Sequence, residues 1–302
     1  MDCAPCYDYK KHPLWDSAIE RVYDRYGRLF ADIEHNCIAT LDDIVADMDM
    51  TRSSGVPWGM LKMKTKGDCF RSPVFRNYLA HPELMVPPVW KVVDKSEWYH
   101  ANDIDSGKVR TFIIPPTDFL VLQKICFWRQ NEAMKMRHSS AYGFNPYRGG
   151  VHRLALKLLR NPIFLSYDVR GWDRLLPHMR EVYDLRLSFI PEEMLYIAEW
   201  VSDNTIITFL IYPDGTIVCK ILGNNSGSGT TTSDNILAHD FISCLVLLEI
   251  FGESPDLLEA AVQALFGDDN VSSIPETPVD LETTYRSIFR LFGLELDPFK
   301  TS

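Results

Sequence analysis

Residues 241–251, FISCLVLLEIF, are the longest strongly apolar stretch of the chain. That is about half the length a membrane span needs, so it reads as a helix of a protein core, running from about Thr231 to Phe251. A core helix has to be enclosed by other elements. The 302 residues, 46% of them hydrophobic, are enough for one large domain or two or three lobes. Mean hydropathy is −0.11, as in soluble globular proteins. The seven cysteines are scattered and odd in number, which suits reduced thiols better than a disulfide framework. Cys3 and Cys6 have zinc-like spacing, but no second pair follows. No signal-peptide pattern, low-complexity tract or internal repeat is visible.

Around that helix the elements alternate irregularly. The first ninety residues read as mixed helical, with polar breaks at TRSSGVPWGM and KTKGDCF. VWKVV and KVRTFIIP have strand character, with a long polar loop between them. Residues 117–136 carry apolar side chains at helical spacing. A glycine-containing loop, SSAYGFNPYRGG, then leads into a short basic helix, VHRLALKLL. NPIFLSYD reads as a strand ending in acid, and LPHMREVYDLRLSFI as a helix. TIITFLIYPDGTIVCKIL is a hairpin turning at Gly215. After the Thr231–Phe251 helix come a short helix at 255–263, a hairpin around GDD and a helix at 278–292. The order favours an α+β fold over a doubly wound sheet.

Net charge is −10, yet its distribution is lopsided. Residues 121–160 hold eight Lys or Arg and one acid, whereas residues 240–302 hold twelve acids and three bases. The first run is either a solvated helix face or a surface for a polyanion; the second could collect cations.

Asp268 and Asp269 stand side by side in LFGDDNVSSI, where like charges repel. Either a polar turn is all that is intended, or a divalent cation makes both acids favourable. If this hairpin lies beside the strand ending in Asp168, the carboxylates converge, and oxygen-only ligands select hard ions such as magnesium. DVRGWD places Asp173 five residues after Asp168, past a turn at Gly171; it also reads as a strand end and a helix N-cap. SGSGTTTSDN offers close backbone approach to a ligand, then a helix N-terminus and Asn235; its other reading is a flexible loop with an ordinary cap.

Together these stretches resemble the RNA-dependent RNA polymerases of positive-strand, picornavirus-like viruses, over roughly residues 50–300. DVRGWD resembles motif A. SGSGTTTSDN resembles motif B through Ser226, Gly227, Thr231 and Asn235, and the preceding GNN is similar to astrovirus and potyvirus members. GDD resembles motif C and FGLELDPFK motif D, ending in Lys300, its loop one residue shorter than in picornaviruses. GKVRTF is similar to motif F and SSGVPW to motif G. Six motifs stand in the family's order.

The resemblance implies a right-hand polymerase with an antiparallel palm sheet flanked by helices. Fingers would occupy residues 1–160 (partial), palm 161–192, a fingers insertion 193–222 and palm 223–302. The chain stops two residues after Lys300, so motif E and the thumb are expected to lie outside it, and the isolated chain is expected to elongate poorly. Asp168 and Asp268, with Asp269 secondary, would hold two Mg²⁺ ions, for which Mn²⁺ could substitute. Asp173 and Asn235 would read the ribose 2′-hydroxyl, and Ser226, Gly227 and Thr231 would flank the nucleotide. Lys108 and Arg110, with Lys95 nearby, would neutralise its triphosphate, and Lys300 would give a proton to pyrophosphate. Ser54, Gly55, Arg148 and Arg153 would contact RNA. Partners would be RNA template, nascent RNA, NTPs and other viral replication proteins. The setting would be membrane-associated complexes in the host-cell cytoplasm, with no membrane segment in this chain. Two readings compete. A reverse transcriptase also carries paired aspartates, but Asp173 with Asn235 argues against it; a non-catalytic palm-like module would bind RNA or protein only.

Overall fold

A computed structural model describes residues 7–33, 38–95, 98 and 110–301. Lys108, Cys3 and Cys6, and most of the polar stretch after Asp94, lie outside the described residues. The backbone divides into two compact units. The first combines the N-terminal residues to 35 with 129–189 and 232–302; the second combines 36–128 with 190–231.

The second unit carries a four-stranded sheet. β1 (Val89–Asp94) pairs antiparallel with β2 (Thr111–Ile114) and parallel with β4 (Thr208–Ile211), which turns back antiparallel into β5 (Ile217–Lys220). The β4–β5 hairpin lies where the β-branched runs around Pro213–Thr216 predict it. Its attachment to β1 leaves no local mark, because the two strands are more than a hundred residues apart. The helix Thr117–Ala133 begins in this unit. Its Leu120 and Val121 pack with Ala39, Ile44 and Met48, and Trp58 donates its indole N–H to buried Asp118 Oδ1 (2.6 Å).

The sheet of the first unit is antiparallel throughout, in the order β6 (Val262–Phe266), β7 (Asp269–Ile274), β3 (Ile163–Ser166), β8 (Lys300–Thr301). The helix Thr231–Phe251 has the predicted limits, and seventeen of its residues are buried. Nearly every face is covered, so its sequence is apolar with little helical periodicity. Helix Leu281–Leu291 is the contrasting case: Tyr285, Ile288 and Phe289 form one buried stripe, while Glu282, Arg286 and Arg290 take the rest. No helix among the described residues is long and apolar enough to cross a membrane.

The helix Glu192–Ile206 is absent from the sequence reading. Its signals were present: Pro191 at the N-cap, then Glu192 and Glu193 in the first turn, where the helix dipole favours acids.

Candidate active site

In the first unit the paired acids are placed by strand register. β3 and β7 align Phe164 with Ser273 and Leu165 with Ser272, so continuing the ladder brings Asp168 level with Asp269. Two bonds beyond the ladder hold that end closed. Asn270 Nδ2 donates to the Tyr167 carbonyl (2.7 Å), and Ser166 Oγ donates to the Asn270 carbonyl (2.9 Å). Gly267, at φ +70°, makes the β6–β7 turn, and Asp268 shares its tip.

The other flank of β3 fastens residues 295–301. Lys300 pairs with Ser166 in register, and its Nζ lies 3.5 Å from Asp168 Oδ2. The Asp297 N–H donates to the Asp168 carbonyl (2.9 Å) and the Arg170 N–H to the Glu295 carbonyl (2.9 Å), while Arg170 Nε donates to Asp297 Oδ1 (2.6 Å). Asp168 is thus fixed in backbone but 60% exposed in side chain.

His239 was missed by sequence reasoning. The buried imidazole stands against Trp172, ring centroids 4.9 Å apart. Its Nδ1–H donates to the Gly267 carbonyl (3.4 Å), leaving Nε2 to accept from the Tyr167 hydroxyl (3.0 Å). One ring therefore ties the Asp268 turn to the Asp168 strand. Burial pushes its pKa down to about 4, so it is neutral and this tautomer persists at pH 7.

Asp173 follows Gly171, whose left-handed φ of +66° starts the short helix Trp172–Leu175. Asn235 Nδ2 donates to Asp173 Oδ1 (2.8 Å), so the two side chains are joined. The preceding residue, Asp234, is wholly buried against Arg186 Nε (2.7 Å) and the Tyr183 hydroxyl (2.9 Å). That pair seats the helix that carries Asn235.

Electrostatics at the strand ends favour a cation. Although Asp269 as a residue is exposed, partial desolvation of its carboxyl raises its pKa, the charges of Asp268 and Asp168 raise it further, and Lys300 opposes them. The donors are all hard oxygens. Among the described residues no group of three or more His, Cys, Asp or Glu is placed so that it could hold a metal ion. A raised folded-state pKa means that the unfolded chain loses this proton first, so Asp269 costs stability as pH rises through the carboxylate range. Asp269→Asn should therefore raise the melting temperature of the metal-free protein at pH 7 and reduce that gain at pH 4. Equal or lower stability at pH 7 would contradict the like-charge account.

In the second unit the glycine-rich loop is fixed from beneath. Asn225 is buried and donates to Thr208 Oγ1 (2.8 Å), while Lys220 Nζ donates to Asn225 Oδ1 (2.9 Å). Asn224 Nδ2 donates to the Thr231 carbonyl (3.1 Å), and Thr231 Oγ1 donates to the Asn225 carbonyl (2.6 Å). The GNN asparagines and the Thr231 hydroxyl thus shape the loop itself. Ser226 Oγ accepts from the Ile113 N–H (3.2 Å). A Cβ on Gly227 would fall 1.9 Å from the Ile113 carbonyl oxygen, so only glycine fits beside β2. Gly55, at φ +73°, meets the Pro115 carbonyl in the same way, and the Thr117 N–H donates to the Ser54 carbonyl (3.0 Å). Arg110 precedes β2, exposed, its carbonyl accepting from the Lys95 N–H (2.8 Å).

The basic run 121–160 has several fates. Lys124 is held by Asp47 and Lys135 by Glu132, each at 2.6 Å. Arg148 and Arg153 stay exposed, Arg153 Nη1 donating to the Arg148 carbonyl (3.1 Å).

The family described as viral RNA-dependent RNA polymerase matches residues 39–302. Among similar curated proteins, non-structural polyprotein 1AB of human astrovirus-5 is 24% identical over 231 residues, covering 72% of this chain and 16% of that protein. The ovine astrovirus 1 counterpart is 25% identical over 321 aligned residues, covering 94% of this chain and 23% of the relative. The genome polyprotein of plum pox potyvirus (isolate NAT) is 30% identical over 275 residues, covering 86% and 9%. The chain thus spans less than a quarter of these relatives' length. With the match running through both units and every motif from SSGVPW to Lys300, the chain belongs to the viral RNA-dependent RNA polymerase family.

Proposed function

We propose that the chain performs RNA-templated RNA synthesis, joining NTPs into RNA during replication of a viral genome. The observation that carries the reading is the meeting of Asp168, Asp269 and Lys300 at one sheet end, with Asp268 on the adjoining turn. Divalent metal use is general to the family. Here Asp168 and Asp268 would hold two Mg²⁺ ions, with Asp269 secondary and Mn²⁺ a substitute. When bound, such ions activate the attacking hydroxyl and stabilise the leaving oxygen. The rest falls to the chain's own groups. Lys300, a cation beside Asp168, supplies a proton to the departing pyrophosphate. The joined Asp173 and Asn235 meet the ribose 2′-hydroxyl. Arg110, with Lys108 and Lys95, neutralises the triphosphate, and Ser226 and Gly227 flank the base.

In right-hand terms, residues 161–192 and 223–302 would be palm and residues 1–160 and 193–222 fingers. RNA contacts would fall on Ser54, Gly55, Arg148 and Arg153. Other viral replication proteins, at host-cell cytoplasmic membranes, would complete the complex. The reverse-transcriptase reading is not favoured, because Asp173 and Asn235 select for a 2′-hydroxyl instead of excluding it.

Single-nucleotide extension of a primed RNA template tests this. The parent should prefer NTPs to dNTPs. Asn235→Ala should narrow that preference roughly tenfold or more, since a lost hydrogen bond to a recognised hydroxyl is worth about 1–3 kcal/mol. A parent that used both substrates equally would end the RNA-synthesis reading.

A further inference from the structure

The first unit holds a second candidate site, removed from the paired aspartates. A cavity of about 500 Å³ is lined by Arg21, Arg25, Arg28, Lys157 and Arg160, against only Asp24 and Glu259. Its floor is the start of β6, at Val262 and Gln263. Asp268 lies past the other end of that strand, roughly 13 Å farther on at about 3.3 Å per residue.

Three of these arginines belong to one helix, Trp15–Ala31, at spacings of four and three residues, and so share a face. Arg25 is committed: its Nη1 bonds buried Asp240 (2.5 Å), whose other oxygen accepts from Ser139 Oγ (2.8 Å). Lys157 is pinned by donating to the His138 carbonyl (3.1 Å). Burial, then the charges of Arg160 and Arg25, depress its pKa. Arg21, Arg28 and Arg160 form no ion pair with a carboxylate among the described residues. Like charges gathered round a concave space repel unless an anion enters. Arginine forks match phosphate oxygens in pairs, and the volume lies within the usual range for small-molecule pockets.

We propose that this cavity binds the phosphate groups of a nucleotide or of an RNA strand, at a position separate from the polymerisation centre. The inference does not depend on the polymerase reading, because none of the lining residues belongs to that site.

The test is equilibrium binding of the 302-residue chain in EDTA, which suppresses metal-dependent binding at the aspartates. The probes are labelled ATP and a 5′-hydroxyl oligouridylate; the tighter binder names the source of the phosphate. Reversing two uncommitted cations together, Arg21→Glu with Arg160→Glu, should weaken that probe by about tenfold or more, while Asp268→Asn leaves its affinity unchanged. Arg28→Gln, a milder change on an exposed side chain, should weaken it about threefold and serves if the double reversal unfolds the chain. Absence of binding by both probes, parental affinity in the arginine variants, or loss in Asp268→Asn would overturn the proposal.

Discussion

Asp268→Ala should reduce magnesium-dependent nucleotide incorporation by about a thousandfold or more while leaving the fold intact. Metal-ion stabilisation of a phosphoryl transition state is worth several kcal/mol, and each ~1.4 kcal/mol is a factor of ten in rate. Phosphoryl transfer asks little covalent work of the protein, so few other groups could compensate. The fold should survive because Asp268 is exposed on the β6–β7 turn. The side chain makes no hydrogen bond or ion pair among the described residues, and Gly267 supplies the turn's positive φ. The measurement is single-nucleotide extension at saturating NTP and Mg²⁺, with circular dichroism as the control for folding. Activity within tenfold of the parent would remove Asp268 from the metal assignment. Removing one of three crowded carboxylates should raise the melting temperature of the metal-free protein.

The largest stability effect is expected one residue before Asn235. Arg186 and Asp234 are both completely buried and joined at 2.7 Å. The guanidinium also donates to Gln130 Oε1 (3.2 Å), Asn131 Oδ1 (3.1 Å) and Ser233 Oγ (2.9 Å), and Asp234 Oδ2 accepts from the Tyr183 hydroxyl. Asp234→Ala strands a charge in the core and should cost about 3–5 kcal/mol, read from urea unfolding. Replacing both charged partners, Asp234→Leu with Arg186→Met, should recover only part of that loss, because the charges go but the buried polar groups of Gln130, Asn131, Ser233 and Tyr183 lose the partner they had there. A single-mutant loss below about 1 kcal/mol would show that the pair is reached by water. Since Asn235 is next in the helix, the single variant should also narrow the preference for NTPs over dNTPs.

Local elements were legible where one stretch carried the whole signal. The Thr231–Phe251 helix, the GDD hairpin and the β4–β5 hairpin follow from apolar runs, β-branched residues and glycine at turns. The metal role offered for Asp168 and Asp268 rests on crowded acids as well as on the family's motif order, that of Lys300 on the motif order alone, and the structure shows only that Lys300 adjoins Asp168 and that both acids act on Asp269. Asp234, Arg186, Asn224, Asn225 and His239 were not legible. Asp234, Arg186 and His239 are polar residues whose task depends on a partner tens of residues away, whereas Asn224 and Asn225 act through the fold of their own loop and the neighbouring hairpin. Asp234 and Asn235 are adjacent in sequence, yet one faces a buried guanidinium and the other joins Asp173.

What the sequence determined by itself was therefore local and compositional: which segments become helix or strand, where the chain turns, and that acids crowd its last third. Only the tertiary structure decided that β7 lies between β6 and β3, that β1 adds in parallel to β4, and that arginines from one helix face Lys157 and Arg160 across a cavity. The physical reason is that backbone preference acts over a few residues. Strand neighbours and charge clusters are instead selected by the burial and hydrogen bonding of the whole unit, which no single segment encodes.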